Sequence, residues 1–151
     1  MTTASYPSPD YAPRIEHLGP HFSKVFLRDK WEPFHVLRAP DTGPPHSHKF
    51  GMLAHILLGG YVEDVYTIHP DGSWSVERHE RRPGFTHRIE AGTIHCIVAL
   101  LDGVSLTWAE PDPQEHAWHF FDFRPEGVYR SEQWNGPWEP FGPRLVAAPA
   151  R

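Results

Sequence analysis

The sequence predicts an all-β fold, a small sandwich or barrel with irregular arms at both ends. Three observations predict it. Proline and glycine are dense, 17 and 12 among 151 residues, and both break helices and punctuate strands. About eight or nine short segments, apolar or alternating, are separated by turn signals. No stretch carries an apolar stripe at helical spacing with caps at its ends.

Taken in order, residues 1–13 hold Pro7, Pro9 and Pro13 and read as an extended arm laid on the body or on a partner subunit. Segments 22–27 and 34–37 are short strands, with Asp29-Lys30 as the turn between them. Segment 50–58 is apolar on both faces, the pattern of a central strand covered on both sides. Gly59-Gly60 ends it. Segment 61–68 follows, then a turn at His69-Pro70-Asp71-Gly72, then 73–79, which alternates through Trp74 and Val76. Pro83-Gly84 is a further turn, and 86–89 and 94–100 flank Glu90-Ala91-Gly92. Asp102-Gly103 is a hairpin signal. Beyond it Val104, Leu106 and Trp108 share one face, and Ser105 and Thr107 the other. Segment 117–123 is a last, aromatic-rich strand. The barrel domain is therefore expected over 14–124. Residues 125–151 read as an irregular Pro/Trp-rich tail, wrapped on the body through Trp134, Trp138 and Phe141. The mixed-sign run from Glu77 to Arg82 reads as a solvated edge that discourages strand pairing with other chains.

Composition excludes several functions. The net charge of −5 opposes general binding to nucleic acid or an anionic membrane, which needs a basic face. No apolar run approaches the roughly 20 residues of a membrane span. The first residues lack the basic segment and apolar core of a secretory leader. The single cysteine, Cys96, forms no internal disulfide, so a reducing, cytoplasmic setting is expected. Cys96 itself reads as a small buried apolar residue.

Twelve histidines are scattered along the chain. Histidine is the commonest metal ligand and the acid or base of neutral pH. His46-Ser47-His48 places two imidazoles on one face of an extended segment, able to close on one ion. About one such pair is expected by chance at this histidine content, so position has to carry the argument. The pair follows Pro44-Pro45 and opens the most apolar strand, where an unpaired imidazole is costly. His95 is a third candidate, three residues after Gly92 and entering another apolar strand.

With these residues in place, the spacing resembles the cupins. The first cupin motif, Gly-x5-His-x-His-x3-4-Glu-x6-Gly, is matched by His46, His48 and Gly60. The second, Gly-x5-Pro-x-Gly-x2-His-x3-Asn, is matched by Gly84, Gly92 and His95, and residues 61–83 form an ordinary intermotif stretch. The resemblance implies a double-stranded β-helix barrel (the cupin jelly roll) holding one divalent metal ion. The chain also departs from the motifs. The glutamate ligand falls on Leu53, or on Met52 in the shorter spacing. Glu90 replaces the proline, Ala99 the asparagine, and Pro40 stands where the first glycine belongs, with Gly43 nearby. What survives is a three-histidine set, His46, His48 and His95, similar to that of the thiol dioxygenases such as cysteine dioxygenase. That likeness implies iron(II), with zinc, nickel or copper as alternatives.

Three neutral imidazoles leave the ion its full charge, so the site favours an anionic ligand and keeps open positions for substrate and dioxygen or water. If Leu53 takes the glutamate position, His55 shares its face one pleat deeper and becomes a candidate ligand, base or substrate contact. In the resembled enzymes an arginine on an early strand holds the substrate carboxylate. Arg38 is the candidate, Arg28 the alternative, and a surface role competes for both. Trp108 and His119 lie on late strands able to contact substrate, or simply pack there. Tyr61, Tyr66 and Tyr129 each offer a phenol. His69, His79 and His116 read as surface groups, and the face of His87 is open. The leading expectation is an iron(II) dioxygenase acting on a small anion, possibly a thiol. Its rivals are a redox-neutral zinc or nickel enzyme and a non-catalytic binding module. A homodimer is expected, as is common in cupins.

Overall fold

The computed structural model describes residues 13–27 and 33–143. Most of the expected N-terminal arm, the Asp29-Lys30 turn, Arg28 and the last eight residues of the tail (144–151) lie outside them.

The regular structure of the described residues is strand throughout: β1 (Arg14–His17), β2 (Phe22–Phe26), β3 (Phe34–Leu37), β4 (Phe50–Leu58), β5 (Tyr61–Ile68), β6 (Trp74–Arg81), β7 (Thr86–Ile89), β8 (Ile94–Leu100), β9 (Ser105–Glu115), β10 (Phe120–Arg124), β11 (Gly127–Ser131) and β12 (Glu139–Phe141). No helix among them is long and apolar enough to cross a membrane. One sheet has the order β1-β2-β3-β9-β4-β7. Two three-stranded sheets, β6-β5-β8 and β10-β11-β12, are joined by a single residue, His46, which bridges to His95 on β8 and to Phe120 on β10. The two curled faces enclose one interior, the all-β jelly-roll barrel that the motifs implied.

Alternation decides what enters that interior. From the six-stranded sheet come Lys24, His35, Thr107, Ala109, Met52 and Ala54, all of which line one cavity. Leu37, Ile56, Tyr61 and Ile97 pack as a core, with Phe22 and Leu100 against it, and Leu37, Tyr61 and Ile97 also form part of the cavity wall. Fully burying a side chain such as Ile56 contributes about 1.5–3 kcal/mol. The β4–β5 connection needs its glycines. Gly59 has φ +70°, and a Cβ there would meet the Val104 carbonyl oxygen at 1.8 Å.

Three expectations change. Asp102-Gly103 is a tight turn, with Gly103 at φ 67°, but it joins β8 to β9 in different sheets and makes no hairpin. The segment after it extends much further than 108, because β9 pairs with β4 as far as Glu115. The part of the tail up to 143 is not irregular: β11 pairs with β10 and β12 with β11, so backbone hydrogen bonds as well as aromatic contacts fix it to the body. The expected solvated edge is seen, with β6 an edge strand and Glu77, Arg78, Glu80 and Arg82 exposed.

Candidate metal centre

The three candidate histidines meet because of backbone pairing around His46. Its N–H donates to the His95 carbonyl at 2.9 Å, and the His95 N–H returns to the His46 carbonyl at 3.0 Å. The His48 N–H donates to Ala91 at 3.1 Å, next to the turn at Gly92. Between them Ser47 is 1% exposed, and its hydroxyl accepts the His119 N–H at 3.1 Å. The i, i+2 rule therefore holds, with both imidazoles on one side and the serine on the other.

The rings converge. Nε2 of His95 stands 2.9 Å from Nε2 of His48, and one ligand atom from each of the three residues lies within 4.8 Å of the others. His46 and His48 lie nearly parallel, 5.4 Å apart at 13°. His95 crosses both, its centroid 5.1 Å from that of His46 and 4.7 Å from that of His48. Burial, and then the charge of neighbouring His95, push the pKa of His46 down, although Asp41 opposes the shift. The same two causes, with His46, His35 and Lys24 adding to them, hold His48 well below its ordinary value. Both are therefore neutral donors at pH 7.

The tautomer of His95 is set by a residue the sequence reading missed. Nδ1 of His95 lies 2.6 Å from Oε1 of Glu63, a carboxylate that is 1% exposed. The other oxygen, Oε2, takes the Arg81 Nε at 2.8 Å and lies 3.7 Å from His87 Nε2. Burial alone would raise the Glu63 pKa, but hydrogen bonds and charge from His95 and Arg81 outweigh it and hold it at about 2. An ionised Glu63 accepts a hydrogen bond from the Nδ1–H of His95, which leaves the lone pair on Nε2, facing His48. Such a carboxylate orients a metal-binding imidazole and makes it more basic. Its signal in the sequence was faint: an acid beside Asp64 in an otherwise mostly apolar strand.

The donor set fits a divalent ion. Two nitrogens each about 2.05 Å from one ion and at right angles stand about 2.9 Å apart, the separation of the His48 and His95 nitrogens. The three histidines lie on the wall of an open cavity of about 820 Å³, so one side is available to ligands. Met52 lines that cavity and Leu53 does not, so of the two residues weighed from the sequence it is Met52 that faces the interior.

The other sequence candidates lie elsewhere. His55, on the opposite face of β4 from Met52 and Ala54, does not line the cavity. Its ring contacts Thr86 at 2.9 Å and Glu110 at 3.2 Å, and it stacks on Trp108 at 4.6 Å. Trp108 is thereby also outside the cavity. Arg38 is exposed and donates to Ser23 at 2.9 Å. The His119 ring packs 6.3 Å from Phe121, and His119 serves the site through its backbone bonds to Ser47. Of the three tyrosines, Tyr61 lines the cavity, whereas Tyr66 stacks on Phe123 and Tyr129 lies under Arg124. His87 sits inward beside Glu63, where burial, and then Arg81, lower its pKa to about 4. Cys96 is buried as expected, its pKa pushed up by burial to about 12.

Fold and site together define an all-β barrel protein with a three-histidine group able to hold a metal ion. No protein-family profile matches the chain, and no curated protein matches it. Among solved structures it is similar to the 7S globulin of Momordica charantia, at 10% identity and a TM-score of 0.44, covering 72% of this chain. The match spans about a third (35%) of the globulin chain.

Proposed function

We propose that this chain is a mononuclear metal-dependent enzyme, an iron(II) dioxygenase acting on an organic anion. The observation that carries the reading is the convergence of three imidazole donors on the wall of an open, mostly apolar cavity. Iron(II) bound there would supply dioxygen activation and an uncompensated positive charge. The chain's own groups have definite tasks. Glu63 holds the Nδ1 proton of His95 and keeps Nε2 directed inward. The depressed pKa values of His46 and His48 keep their donor nitrogens deprotonated. Apolar walls from Ala54, Ile89 and Ile97 exclude water from whatever binds. A cavity of about 820 Å³ is far roomier than a small amino-acid thiol requires, so thiols are only one arm of the substrate screen.

The test is oxygen uptake by iron-loaded protein with panels of carboxylates, enolisable acids and thiols. Consumption by wild type and none by His48→Ala supports the reading. Turnover without oxygen in zinc- or nickel-loaded protein would replace it with redox-neutral chemistry. Stoichiometric ligand binding with no turnover under any loading would make the chain a binding module. The oligomer belongs to the same proposal: a homodimer covering Leu57, Leu58, Phe85 and Val104, which are 42%, 62%, 62% and 48% exposed. Light scattering should give twice the 17.3 kDa chain mass, and a monomer mass would contradict it.

A further inference from the structure

The cavity wall carries a second polar feature besides the three histidines. Lys24 on β2 stands directly opposite His35 on β3, and His35 directly opposite Thr107 on β9. All three line the cavity. Nε2 of His35 and Oγ1 of Thr107 are sealed from solvent, and neither has a hydrogen-bond partner among the described residues. Lys24 forms no hydrogen bond or salt bridge among the described residues, although the charge of Glu16, opposite it on β1, acts on it. Its neighbour across β1, Glu16, is bound by Arg14. Buried polar groups are nearly always satisfied, so two unmet ones beside a half-buried lysine need an explanation. An ammonium, an imidazole N–H and a hydroxyl can all donate. What the row lacks is an acceptor, and an anion supplies it best. Among the described residues the one carboxylate lining the cavity is Asp41, whose Oδ2 already accepts the Ile97 N–H at 2.8 Å.

The rest of the wall indicates what carries the anion. Trp118 and Trp134 stand at the cavity, half exposed, on either side of Phe120, with ring centroids 5.0 and 6.2 Å from it. Gly43 lets Trp134 approach, because a Cβ at that position would meet its ring at 2.5 Å. Aromatic surface left open at a cavity suits an apolar or aromatic body.

We infer that the Lys24–His35–Thr107 row seats a substrate carboxylate, and that the substrate is an apolar carboxylic acid of aromatic-ring size rather than a small polar metabolite. The inference names a substrate class for the proposed metal site and rests on that reading. The carboxylate accepts from Lys24, and from His35 and Thr107 once they turn towards it. The body of the molecule lies against Trp118, Phe120 and Trp134. Lys24 thus takes the task for which the resemblance had offered Arg38 as the candidate.

The experiment is calorimetric titration of the full chain with 2-naphthoate and with its neutral analogue 2-naphthamide, metal-free and zinc-loaded. Naphthoate should bind at least tenfold more tightly than naphthamide in both forms. Lys24→Met should abolish that preference while leaving naphthamide affinity unchanged, which also shows the cavity intact. Lys24→Arg should restore most of it, and Thr107→Val should weaken it. If Lys24→Met binds neither compound, the Lys24→Arg and Thr107→Val results decide. No preference in wild type, or a full preference in Lys24→Met, overturns the inference. A protein that binds metal but shows no preference fails this inference alone. One that shows a Lys24-dependent preference but never binds metal supports the carboxylate seat and fails the metal reading.

Discussion

Glu63 does at the residue scale what a motif reader looks for in a ligand, without being one. Replacing it by glutamine leaves a side chain of the same size but removes the charge that fixes His95. We expect Glu63→Gln to fold and to bind zinc or iron(II) about 10–100-fold more weakly, measured by competition with a chelator. Unchanged affinity would show that Glu63 only packs. Its pKa also sets an acid limit. The folded value of about 2 lies below the ordinary 4.5, so the unfolded chain takes up the proton first. The stability Glu63 contributes is complete above about pH 4.5 and is lost as pH falls towards 2. His35 acts in the same direction earlier. Burial, and then Lys24, lower its pKa from 6.5 to about 3, so stability declines as pH falls through that window. Urea midpoints of metal-free protein should therefore drop steadily below about pH 6.5, and Glu63→Gln should flatten the lower part. His46, His48 and His95 were legible in the sequence because two motif spacings fixed them. Glu63 was not, because its role exists only once β5 is placed beside β8. His55 went astray through one residue of register, Leu53 in place of Met52, which turns every side chain of β4 to the other face.

At the scale of elements, His46 is both a ligand candidate and the one-residue strand joining two sheets. The roles separate by substitution. His46→Ala keeps the backbone donor to His95, so it should stay folded and lose metal affinity. His46→Pro removes that N–H and should lose cooperative unfolding as well, read by near-ultraviolet circular dichroism. Strand positions were largely legible, since 86–89 and 94–100 coincide with β7 and β8. Strand partners were not. Asp102-Gly103 fits a hairpin equally well as a corner between sheets, and local turn chemistry does not say which sheet the next strand joins. The face of β9 was illegible for a physical reason too. Ser105 and Thr107 turn inward, 0% and 3% exposed, while Val104 is 48% exposed, so polarity pointed the wrong way. The strands of the tail escaped because β12 contains Pro140 and follows a run of turn residues.

Across the whole molecule, core and cavity share a wall. Leu37, Ile56, Tyr61 and Ile97 pack as the core, and Leu37, Tyr61 and Ile97 also line the cavity, which gives up packing to admit a ligand. Stability should therefore reside in the core. Ile56→Ala is expected to cost about 2–5 kcal/mol in urea unfolding. Lys24→Met removes a partly buried charge whose desolvation outweighs its attraction to Glu16, so it should cost little or stabilise. The fold class was legible as a whole because turn density, strand count and two motif registers agreed. The function rests on one claim, that three imidazoles hold an ion. Elemental analysis of purified, untagged wild type beside His95→Ala tests it most directly. Wild type should carry about one equivalent of metal per chain, iron if the oxygenase reading holds, and the variant should lose it. No metal in either protein, even after exposure to iron(II), zinc and nickel in turn, would contradict it.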